Sequence, residues 1–174
     1  MGATDKIARP FNKHVTELTG RFWRSVFFGQ EEHLLTPARA PQGRWHHSDQ
    51  PALYLSGTPE GCRVALKAYQ TPDDPPRGIF PIDVHDARVI DLRAAATREA
   101  LDMPLEDIHV FWATLHKAGN TVPTWQISDR LRGAGVDGIL TPSRSRPELT
   151  HLTLFRWNRL GGAKVTQTGA PLPF

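Results

Sequence analysis

Between residues 43 and 56 the chain reads GRWHHSDQPALYLS, a glycine, an arginine, a tryptophan and two histidines running into a short apolar segment. Arg44 carries a planar fork of donors that matches carboxylate or phosphate oxygens. Trp45 and His46 follow it, and Tyr54 and Ser56 fall on one side of the next strand by alternation. Such a stretch is either a decorated loop or one wall of a ligand pocket. A second candidate, TPSRSRPEL at 141–149, offers Ser143 and Arg144. It reads as a phosphate patch or as a solvated loop in which Ser143 bonds its own turn. The third is Arg24. In RFWRSVFF (21–28), alternation sets Phe22, Arg24, Val26 and Phe28 on one face. A guanidinium there pairs with a core carboxylate or meets an anion, because burying it alone is costly. His46 and His47 do not suggest zinc, since no cysteine stands at ligand spacing from them and there is no HExxH-like spacing.

Composition narrows the classes. The chain has 174 residues, 39% hydrophobic and 22% charged, which suits one globular domain with a real core. Its net charge is only +3 and the basic residues are dispersed among acidic ones, so no nucleic-acid-binding tail is expected. No apolar run approaches membrane-spanning length, and MGATDKIARPFNKH lacks the apolar core of a signal peptide. The single Cys62 excludes an internal disulfide and fits a reducing compartment, the cytoplasm.

The elements that would position these residues read as a mixture without a strict βαβ rhythm, so the fold class is α+β. Residues 1–20 form a polar lead-in, 21–158 the domain, and 159–174 a loosely ordered tail. Strands are expected at 21–28, 52–56, 78–84, 88–92, 136–140 and 150–157, with Pro81 breaking the third or placing it at an edge. Thr58 caps a helix that opens Pro59-Glu60 and buries a stripe of Cys62, Ala65, Leu66 and Tyr69. Glu60 suits the positive end of that helix dipole for structural reasons alone, with a catalytic role as the alternative. The spacing predicts further helices at 93–101, 104–119 and 124–135. The second would bury Leu105, Ile108, Phe111, Trp112 and Leu115, and the third ends in glycines. Trp125 is core or pocket rim. The loop at 29–51 exceeds the usual length unless it is functional or disordered.

Taken together, GRWHHSDQPALYLS, the TPEG helix start and GVDGILTPSRSRPELTHLTLFRWN resemble the RES-domain family over roughly residues 21–158. The resemblance implies a fold similar to ADP-ribosyltransferase toxins, with a split, twisted mixed sheet flanked by helices. It implies the toxin half of a bacterial toxin–antitoxin pair that destroys NAD+ by hydrolysis or phosphorolysis. It also implies a small helical antitoxin as partner, with no metal, no membrane and no direct nucleic-acid contact; self-association is left open. Carried over by position, the family's motif arginine is Arg44, its strand tyrosine Tyr54, its loop serine Ser143 and its first-strand arginine Arg24. Trp45, His46, Ser56 and Arg144 are the neighbouring ligand contacts. The family's glutamate belongs near Ala65, yet positions 64–66 hold no carboxylate, and the nearest acid on that helix is Glu60. The motif's asparagine is replaced by His46.

These residue types suit NAD+ chemistry. Cleaving the nicotinamide–ribose bond passes through a cation-like sugar that a carboxylate stabilises. Arginines hold the pyrophosphate, an aromatic ring stacks on nicotinamide, and a hydroxyl orients ribose or phosphate. Glu60, Asp137 or Glu148 could supply the acid. Two other classes stay open: a protein ADP-ribosyltransferase, and a RES fold that binds nucleotides without turnover.

Overall fold

Two long strands dominate the architecture. The computed structural model describes residues 7–174. In it β1 (Val15–Phe27) and β3 (Arg77–Asp91) run antiparallel from Val15↔Ile90 to Phe27↔Arg77, with one slip between Leu18 and Gly20. Both are rich in β-branched and aromatic residues that fit a pleated surface. The shorter strands β2 (Leu53–Ser56), β5 (Thr150–Leu154) and β4 (Gly138–Pro142) complete a ring of pairings β1-β2-β5-β4-β3-β1. The β3–β4 pairing is parallel and the other strand pairings are antiparallel, so the sheet is mixed.

Alternation divides the side chains between two cores. Leu53, Leu55, Leu140, Leu152 and Leu154 join Phe22, Val26, Phe80 and Ile82 in one cluster. Tyr54 and Ile139 point the other way, where helices α2 (Ala95–Leu101), α3 (Leu105–Ile108) and α5 (Pro123–Ala134) pack Leu101, Ile108, Ile127 and Leu131 against them. The α+β reading therefore holds, and α5 closes at Gly135 with φ +82°, a conformation glycine adopts at no steric cost.

Four local expectations are corrected. First, β1 starts at Val15, so residues 15–20 of the presumed lead-in are sheet; residues 1–6 lie outside the described region. Second, Pro81 neither breaks β3 nor places it at an edge, since β3 pairs with β1 on one side and with β6 (Lys164–Gln167) and β7 (Leu172–Pro173) on the other. Its carbonyl accepts from the Thr168 N–H at 3.1 Å, so its missing donor faces the junction between β6 and β7. Third, residues 159–174 are not a loose tail. β6 pairs with Ile82–His85, β7 pairs with Gly78–Ile79, and Ala163 and Val165 are buried. Without them that edge of β3 would expose unpaired backbone groups.

Fourth, the helix expected at 104–119 is split into α3 and α4 (Trp112–Lys117). A continuous helix would give the Ile108 carbonyl to the Trp112 N–H. Instead that carbonyl accepts from the Arg44 guanidinium. Ile108 stays buried, whereas Leu105 and Phe111 are exposed, Phe111 at 63%. The stripe on α1 (Pro59–Leu66) fails similarly: Cys62 is buried, but Ala65 and Tyr69 are exposed. The Thr58 cap is as expected, its hydroxyl accepting from Gly61 N–H at 3.0 Å.

Candidate functional site

The candidate site is a polar surface on strands β2, β5 and β4. Cross-strand register sets Ser56 beside His151 and His151 beside Thr141, with Tyr54, Thr153 and Ile139 as the adjacent rung. Ser143 continues the Ile139–Thr141 alternation one step beyond β4. Ser56, Thr141, Thr153 and Ser143 are all at most 4% exposed. Ser56 Oγ lies 3.1 Å from His151 Nδ1. A buried band of hydroxyls on one face of a sheet whose other face is leucine needs polar partners.

The Gly43–His46 loop closes over this surface, and its geometry explains the motif. A Cβ on Gly43 would stand 2.5 Å from the His46 ring and 2.9 Å from the Tyr54 hydroxyl, so only glycine permits the approach. His46 Nε2 is 2.8 Å from the Ala40 carbonyl, which can only accept, so the proton sits on Nε2. Nδ1 then accepts from the Tyr54 hydroxyl at 2.7 Å, and the phenol oxygen accepts from Trp45 N–H at 3.0 Å. His46, in place of the expected asparagine, thus orients the tyrosine. Burial raises the Tyr54 pKa above its ordinary value and lowers that of His46.

Helix α5 holds the loop from outside. Trp125 Nε1 donates to the Gly43 carbonyl at 2.8 Å, and Arg132 donates to the Trp45 carbonyl at 2.9 Å and the Pro51 carbonyl at 2.8 Å. Trp125 and Arg132 are seven residues apart and share a helix face. That i, i+7 spacing was the available signal for their role.

Electrostatics single out Arg44. Burial lowers its pKa to about 10, and the neighbouring Arg144 guanidinium pushes the same way. Arg44 bonds only the Ile108 carbonyl and its Nε has no partner; Arg144 lies over the exposed Phe111 ring at 3.7 Å. Neither meets a carboxylate among the described residues. Two adjacent like charges, one of them largely buried, form a site for an anion. Burial and then Arg44 push His151 down to about 4, and burial, Arg44, Arg144 and Arg98 lower His109.

His151 has a consequence for stability. An unfolded imidazole titrates near 6.5 and the folded one near 4, so between these values the unfolded chain binds more protons. Full stability is present above pH 6.5 and falls as pH drops toward 4, by at most ~3 kcal/mol from this group. Urea midpoints across that range should decline in the wild type and decline less in His151→Asn; parallel declines would remove His151 as the source.

The remaining candidates are placed as follows. Arg44, Tyr54, Ser56, Ser143 and Arg144 gather at the candidate site. Trp45 is 2% exposed and His46 1%, so both stand behind it. Ser143 Oγ accepts from Arg146 N–H at 3.4 Å, closing the 143–149 turn. Glu60 sits on the rim, 3.8 Å from Arg146 and 3.7 Å from Arg63. Arg24 pairs with no carboxylate among the described residues: it donates to the Leu34 and Thr36 carbonyls at 2.8 and 2.9 Å, bracing the long loop. Asp137 is fully buried between Arg88 and Arg156 and is committed to structure. Glu148 pairs with Arg146 on the exposed turn. Among the described residues no group of three or more His, Cys, Asp or Glu side chains could hold a metal, and no helix is long and apolar enough to cross a membrane. Residue-type reasoning missed His109, Thr141 and His151; the last two become visible only once strand register is known.

A mixed sheet that carries two neighbouring guanidinium groups, neither paired with a carboxylate among the described residues, beside a half-buried tyrosine and a row of hydroxyls defines an α+β protein with a basic, polar candidate site. The RES domain family model matches residues 17–174, and the chain belongs to that family. Comparison with curated proteins gives no match. Among solved structures, a chain of the M. tuberculosis MbcT–MbcA toxin–antitoxin complex has the same fold. The TM-score is 0.62 at 21% identity, covering 88% of this chain and 86% of that one.

Proposed function

We propose that this chain is a RES-type toxin with an ADP-ribosyltransferase-like sheet, and that it cleaves the nicotinamide–ribose bond of NAD+ in the cytoplasm. The supporting observation is the carboxylate-free pair Arg44 and Arg144 beside Tyr54, at a cleft bordered by exposed aromatic rings. The guanidinium groups hold the pyrophosphate. The half-buried Tyr54 ring, fixed by His46 and Trp45, stacks on nicotinamide. Ser143 orients ribose or phosphate. Nicotinamide leaves with the bonding electron pair, and water or phosphate forms the new bond at the ribose carbon and loses a proton. Arg24 contributes by bracing the loop that carries Arg44. The toxin–antitoxin complex that contains the structural neighbour, together with family membership, supports a protein antitoxin as partner, helical in form.

Glu60 supplies the carboxylate from the rim, the one acid on α1. Glu60→Gln is expected to slow cleavage about tenfold or more. Unchanged turnover of purified variant and wild type, measured side by side, would remove Glu60 from the mechanism.

NAD+ labelled in its adenosine half tests the reaction class. Free ADP-ribose or its phosphorylated form supports small-molecule cleavage; label retained on protein indicates transfer to a side chain instead. The exposed Ala65, where the family places glutamate, favours a second reading, a nucleotide-binding module without turnover. Expression in bacteria separates them: the toxin stops growth and lowers cellular NAD+, and the binder is tolerated.

A further inference from the structure

Buried polar atoms without partners destabilise a fold, and their positions mark where a ligand is needed. Of the seven such side-chain atoms among the described residues, three belong to Arg44 and to groups linked to it: Arg44 Nε, His109 Nε2 and Thr141 Oγ1. They come from three separate elements. His109 directly follows Ile108, whose carbonyl binds Arg44. Thr141 is the register partner of His151, whose titration senses Arg44. Thr141 is only 1% exposed, and valine would fill its volume without an unpaired hydroxyl.

We propose that His109 and Thr141 contact the ligand in this cleft, each hydrogen-bonding an oxygen-bearing group of the dinucleotide beside Arg44. The inference rests on the NAD+ reading of the site and adds two residues to it. Burial and the surrounding guanidinium groups of Arg44, Arg144 and Arg98 keep His109 neutral. Its Nε2 can therefore serve a phosphate or ribose oxygen as donor, or a ribose hydroxyl as acceptor. Thr141 offers a hydroxyl that both donates and accepts. Thr141 belongs to the rung that already holds Ser56 and His151.

The test uses the full chain and carbocyclic NAD+, whose ring oxygen is replaced by methylene so that the nicotinamide bond stays intact during titration. Thr141→Val and His109→Leu should each weaken binding by about 5- to 100-fold. Ligand-free Tm should hold or rise by about 2–4 °C, because an unpaired polar atom is removed. Thr141→Ser, which keeps the hydroxyl, should retain wild-type affinity. Opposite movements of affinity and stability are not produced by a residue that merely supports the fold. Affinities of both variants within about twofold of wild type would overturn the inference and leave the NAD+ reading intact. Failure of the wild type to bind would remove both.

Discussion

Arg44→Ala is expected to lower kcat/KM for NAD+ by about 10³-fold, with the folded state retained. The argument has two halves. Arg44 is the central charge of the cleft: largely buried, adjacent to Arg144, and supplied with no carboxylate by the protein. Removing it leaves the pyrophosphate with the exposed Arg144 alone. The loop that carries it, however, is held by other groups: Trp125 and Arg132 on its carbonyls, and His46 with Tyr54 beneath it. The bond to the Ile108 carbonyl and the guanidinium's contact with the Trp45 ring are lost, at about 1–2 kcal/mol together, offset in part by relief of repulsion with Arg144. Activity assays and thermal melts should therefore separate. Loss of activity with a collapsed melting transition would make Arg44 structural, and full activity would remove it from the site.

Ala65→Glu is expected to raise turnover by about 10²–10³-fold, the amount one charged transition-state contact supplies. Ala65 is exposed on α1, one turn beyond buried Cys62 and before Tyr69, whose hydroxyl is close enough to influence Arg44. On the NAD+ reading, a carboxylate there would stand where the resemblance places the family's glutamate. The site has room, and an exposed helical Ala→Glu change alters stability by less than about 0.5 kcal/mol. The comparison is best made in wild-type and Glu60→Gln backgrounds. A carboxylate that faced the sugar would restore the slower variant as well. Unchanged rates in both would show that this helix face does not meet the reacting ribose.

Much of this site is legible in residue order because its parts are local. Gly43, Arg44, Tyr54 and Ser56 lie on one loop and the strand after it, and the Thr58 cap fixes the helix that follows. The α+β class and the end of α5 at Gly135 follow from alternation and helix stops. What escaped depends on long-range contacts. The split between α3 and α4 turns on a guanidinium 64 residues away taking one backbone carbonyl. The order of 159–174 depends on an edge of β3 that no local pattern announces. Thr141 and His151 look like ordinary strand residues until register sets them beside Ser56. Arg24 had two obvious fates, and the fold provided a third, a pair of carbonyls.

The most direct test follows nicotinamide release from NAD+ by the purified chain, with and without phosphate, by proton NMR. Release of free nicotinamide with matching ADP-ribose or ADP-ribose phosphate is expected, and Arg44→Ala should suppress it. NAD+ left unchanged by saturating wild-type protein would contradict cleavage at this cleft.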